Sequence, residues 1–113
     1  MTEITVVRND DGSVTGFEAT GHSGTQPAGR NVTCASITIL FEFFSEIAEE
    51  LPERGITFRQ DPEATHWSIE FHPGRLSEKD RHLVRTVTDR GLSLFRKLEQ
   101  RDPQACTISD PGG

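Results

Sequence analysis

Only two cysteines, Cys34 and Cys106, occur in the 113 residues, too few for a disulfide scaffold. A reducing cytosol would keep both as thiols. No apolar run reaches the length of a membrane span, and the opening MTEITVV has neither the basic nor the apolar region of a signal peptide. The sequence therefore predicts a cytoplasmic protein with no membrane partner. A positive charge balance is also lacking, and the Arg and Lys residues of Arg75–Arg101 read as the wet face of the second helix. The net charge of −6 argues against direct nucleic-acid binding, because phosphate contacts need concentrated cations. An acidic surface better suits a basic peptide or protein. No CxxC or HxxxH spacing occurs, so no metal is expected and no cofactor is implied. The glycine-rich stretch lacks both GxGxxG and a GK[ST] ending, which sets aside a phosphate-cradling loop.

What is present fits one globular domain. Apolar residues make up 33% and charged ones 27%, and a chain of this length buries roughly 60–70% of its unfolded surface. The expected domain spans 1–109, with 110–113 as a flexible tail. Ile4–Val7 form a β-rich run, Asn9-Asp10-Asp11-Gly12 a turn, and Ser13–Thr20 a second strand. Ile37, Leu40, Phe41, Phe44, Ile47, Ala48 and Leu51 recur at helical steps up to Pro52. Ile39 and Phe43 lie off that stripe, which predicts a helix covered on a second side by another element or another subunit. Ile56–Gln60 and Trp67–Phe71 read as a second hairpin across Asp61-Pro62-Glu63-Ala64. Ser77 and Asp80 then cap a helix whose apolar side is Leu83, Val84, Val87, Leu94, Phe95 and Leu98, interrupted at Gly91. Ala105–Ile108 closes the pattern. The order β-β-α-β-β-α-β predicts an α+β fold, a mixed sheet packed with two helices.

The stretch Gly21–Leu40, GHSGTQPAGRNVTCASITIL, carries the chemistry. Gly21 stands where the chain must leave the sheet. The loop is read as Gly21–Arg30, with Gly21, Gly24 and Gly29 as its hinges. Asn31 is read as the helix N-cap, which makes Cys34 the third residue of the first turn. There, unpaired N–H groups and the helix dipole would favour a thiolate and could hold an oxyanion. His22 could take the thiol proton and return it to a leaving amine. Thr38, one turn beyond Cys34, could orient the site through its hydroxyl. Spacing alone leaves a plainer reading open, with Cys34 a small buried hydrophobe and His22 a turn residue. Cys106 has no histidine near it in sequence, and His66, His72 and His82 read as surface or strand-end residues.

The run Gly21-His22-Ser23, then Gly29-Arg30-Asn31-Val32-Thr33-Cys34-Ala35-Ser36 and an apolar helix, resembles the ribosomal-processing cysteine protease family. That pattern reads GHA, a glycine-bearing loop, G-x-D-x-V-C-A-A, then a helix. The resemblance implies a cysteine endopeptidase with Cys34 as nucleophile and His22 as base. Its implied substrate is the N-terminal extension of a precursor of large-subunit ribosomal protein number twenty-seven, bound beneath the loop by a homodimer. Asn31 departs from the family's Asp, Thr33 from an apolar residue, and Thr38 from Ser; Ser23 and Ser36 stand where alanine is usual. The alternative is a non-catalytic ribosome-assembly or peptide-binding module of the same fold.

Overall fold

The structure, a computed structural model, describes residues 1–21, 28–61 and 66–113, with the backbone alone for 28–31. Five strands, β1 (Thr2–Arg8), β2 (Val14–Thr20), β3 (Ile56–Asp61), β4 (His66–Phe71) and β5 (Cys106–Ser109), form one sheet in the order β3-β4-β2-β1-β5. All neighbours are antiparallel except β1 and β5, which run parallel. The helices are α1 (Ala28–Ala48) and α2 (Glu78–Arg101). The chain order is thus β-β-α-β-β-α-β, and the sheet is mixed, as the sequence pattern implies.

The β1–β2 turn forms for the reason its residues suggest. Gly12 adopts φ +87°, and the N–H of Ser13 donates to the Asp11 carboxylate at 2.9 Å. Alternation then sends Ile4, Val6, Phe17, Ala19, Ile69 and Phe71 into one core with Ile37, Phe41 and Phe44 of α1 and Val84, Val87 and Phe95 of α2. Phe17 stacks on Phe44 at 5.3 Å between ring centroids and meets Phe95 edge-on at 5.1 Å. The two helices therefore share one aromatic cluster against the sheet.

Four local expectations change. First, α1 begins at Ala28, so Gly29, Arg30 and Asn31 belong to the helix rather than to a loop and a cap. Extending an existing helix fixes one residue per hydrogen bond gained, which outweighs the poor propensity of an isolated glycine. Second, Gly91 does not interrupt α2. A Cβ there would sit 2.5 Å from Cζ of Phe44, so glycine is what lets the two helices close on one another. Third, Leu94, placed on the apolar side by spacing, is 44% exposed and borders the outer groove between the helices. Fourth, Asp110, assigned to the tail, is tied to the body. Its carboxylate accepts from Nε and a terminal nitrogen of Arg8 at 2.9 and 2.8 Å and from Arg96 at 3.3 Å. The centre of the second hairpin, 62–65, lies outside the described residues.

Candidate active site

Strand β2 delivers the chain to Gly21, which has φ +87°; a Cβ there would meet the Met1 carbonyl oxygen at 2.9 Å. Both facts favour glycine at the exit from the sheet. His22, Ser23 and Gly24, with the rest of 22–27, lie outside the described residues. So does the side chain of Asn31.

Cys34 lies on α1 as its seventh residue and is part-buried. The N–H groups without intrahelical partners belong to the first turn of α1, which starts at Ala28. Six residues of rise separate Cys34 from Ala28, about 9 Å, and the dipole effect fades beyond the first turn. The expectation that the head of the helix directly activates this sulfur is therefore corrected. An earlier helix start moves that head away.

The turn around Cys34 is held by hydroxyls. Thr38 donates to the Cys34 carbonyl at 3.1 Å, and Ser36 donates to the Val32 carbonyl at 2.8 Å. Thr38 thus acts on the backbone of the cysteine one turn earlier. Thr33 is buried, and its hydroxyl donates to Oδ2 of Asp102 at 2.9 Å. Sequence reasoning did not find Asp102, which lies 69 residues away. The available signal was a threonine at an apolar position, since a buried hydroxyl demands an acceptor.

Cys106 contrasts with Cys34. It has no solvent exposure, and burial, with Glu99 and Cys34 adding to the effect, pushes its thiol up to about 11. Such a group stays protonated near neutral pH and is sealed from substrate. The other described histidines are engaged elsewhere or exposed. His66 faces Glu18 at 3.3 Å, His72 meets the Thr57 hydroxyl at 2.8 Å, and His82 is on the surface. Among the described residues, no group of three or more His, Cys, Asp or Glu could hold a metal ion. No described helix is long and apolar enough to cross a membrane.

An open groove of about 570 Å³ runs between the outer faces of the two helices, and Cys34 is not among its lining residues. Val32, Ala35 and Ile39 line it from α1, and Leu94, Leu98 and Arg101 from α2. Ile39 and Phe43 are 61% and 50% exposed, so the second apolar side of α1 has no cover within the described chain.

Known proteins with this architecture narrow its chemistry. The model of a family described as cysteine protease Prp matches residues 1–107. A ribosomal processing protease Prp from S. aureus, solved with a substrate peptide, superposes with a TM-score of 0.78 at 14% identity. That match covers 97% of this chain and 99% of the other. SMU.848 from Streptococcus mutans gives 0.80 at 19% identity, over 97% and 93%. At these identities the two structures speak to the fold. No curated protein sequence matches the chain.

Proposed function

Because the chain belongs to the Prp cysteine protease family, we propose that it is an endopeptidase in which Cys34 is the nucleophile and His22 the general base. Its proposed substrate is the N-terminal extension of a precursor of large-subunit ribosomal protein number twenty-seven, cut in the cytoplasm during ribosome maturation. Sγ of Cys34 attacks the scissile carbonyl, and its proton passes to the imidazole of His22. The imidazolium then protonates the departing amine, and water activated by the same imidazole hydrolyses the acyl-enzyme. Gly21 and Gly24 let the intervening segment bring His22 to the sulfur. Asn31 supports the site with an amide, which orients without a full charge.

The observation that carries this reading is the difference between the two thiols. The family's nucleophile position, Cys34, is part-exposed, whereas Cys106 is sealed. S. aureus Prp has been solved with a substrate peptide and with a covalently linked product peptide, which supports a peptide substrate here. The purified protein is expected to cut an extended precursor peptide, and Cys34→Ala to lose at least a thousandfold in kcat. Equal cleavage by Cys34→Ala ends the proposal.

The early start of α1 favours a second reading, a peptide-binding or ribosome-assembly module of the same fold without turnover. Alkylation separates the two. With a working dyad, iodoacetamide modifies Cys34 far faster than Cys106 near neutral pH; equally slow rates favour the module. The homodimer expected from the family pattern is supported by the uncovered Ile39 and Phe43. Light scattering should give twice the chain mass for the wild type and one chain mass for Ile39→Glu.

A further inference from the structure

Between Val32 and Ser36 the only buried side chain of α1 is polar: Thr33, 7% exposed. From Ile37 onward the helix is held by apolar contacts through Ile37, Phe41 and Phe44. Such contacts are non-directional, so they resist separation from the sheet better than they resist rolling or sliding. The turn bearing Cys34 lies at the edge of that apolar core. A directional bond ties it to the other helix, from the Thr33 hydroxyl to Asp102.

Asp102 is a stiff anchor. Its own N–H donates to the Leu98 carbonyl at 2.9 Å, and its carbonyl accepts from Ala105 and Cys106 at 3.0 and 3.1 Å. These bonds fix the corner where α2 ends and β5 begins, so its carboxylate projects from backbone that has little freedom. A hydroxyl donating to a carboxylate makes a charge-assisted, directional bond. Cys34 follows Thr33 by one residue, about 100° around the helix and about 1.5 Å along it. Any roll or slide that lengthens the Thr33–Asp102 bond displaces the sulfur by a similar distance.

We propose that Thr33 and Asp102 are positioning residues, a clamp from the α2–β5 corner that sets the rotation and height of Cys34 for attack. The proposal rests on Cys34 being the nucleophile. A misplacement of 1 Å at a reacting atom costs about a hundredfold in rate, so a modest loosening should be visible in kcat.

The test compares Thr33→Val, which keeps the shape and removes the hydroxyl, with Thr33→Ser, which keeps the hydroxyl. Each is assayed well below its Tm on the extended precursor peptide, and Cys34 alkylation by iodoacetamide is followed in parallel. Thr33→Val is expected to lower kcat at least tenfold with KM within twofold, and to slow Cys34 alkylation at least threefold. Thr33→Ser is expected to restore both to within twofold of wild type. If Thr33→Val lowers only the Tm, with kcat and alkylation rate within twofold, the bond is a structural contact and the clamp is refuted. Should Thr33→Val fail to fold, Asp102→Asn replaces it: a threefold or greater loss of kcat supports the clamp, and none overturns it. If the wild type itself cuts no peptide, the protease reading fails, and the alkylation comparison alone decides the clamp.

Discussion

The two helices of this protein are built on different terms. Helix α2 states its ends locally. Ser77 accepts from the Asp80 N–H at 3.2 Å, Glu78 and Asp80 lie in the first turn, and Arg101 lies in the last. Helix α1 has no acidic residue in its first turn and no basic one in its last. Its Cys34 turn is tied instead to a residue 69 positions away. The ends of the scaffold helix are specified by its neighbours in sequence, although its Thr88 also donates to the distant Val14 carbonyl at 3.0 Å. The start of the helix carrying the candidate nucleophile is tied to a neighbour in space. This division suits a site whose geometry must be set by the whole fold.

The strongest way to break the comparison is to attack what the helices share. Phe44 of α1 lies fully buried against Phe17, Phe41 and Phe95, so Phe44→Ala is expected to destabilise by about 3–5 kcal/mol in urea unfolding. Gly91→Ala on α2 crowds the same ring. It should cost about 1–3 kcal/mol through overpacking, despite alanine's better helix propensity. Phe44→Leu combined with Gly91→Ala should recover part of that loss, and strictly additive effects would show that the two do not meet.

A smaller effect tests the local terms of α2. Ser77→Ala removes the cap acceptor and should cost about 1 kcal/mol in Tm-derived stability, with cleavage unchanged in kcat. Loss of kcat at intact stability would mean that the start of α2 is coupled to the site after all.

The smallest expected effect lies at the far end, where Arg96 of α2 and Arg8 of β1 hold Asp110. Hydrogen bonding and charge from Arg8 lower the Asp110 pKa in the folded state. A carboxyl whose folded value is depressed stabilises above its unfolded value of about 3.9, and that contribution disappears as pH falls through the folded one. Asp110→Asn should therefore lower stability by about 1 kcal/mol or less at pH 7, and the difference from wild type should shrink as pH falls through the depressed folded value. A constant gap across that range would rule out the ion pair as its cause.

Much of this architecture was legible. Alternation in Ile4–Val6 and Ile69–Phe71, the Asp11-Gly12 turn and the Ser77 cap each contain their own cause within a few residues. The start of α1 is not legible in the sequence, because Gly29 and Asn31 carry loop and cap signals that a growing helix overrides for 28–31. Leu94 fits a helical stripe as well as Leu98 does, but only the placement of α1 leaves it facing the groove. Gly91 reads as a breaker until Phe44 is known to lie across it.

The sequence by itself determined which segments are strands and helices and where most turns fall, because each depends on interactions between near neighbours along the chain, while Cys34 is singled out as candidate nucleophile by family resemblance. The tertiary structure alone decided that Cys106 is sealed, that Thr33 bonds to Asp102 and that Cys34 sits well inside α1. Those outcomes depend on burial and on partners dozens of residues apart, which no local pattern encodes.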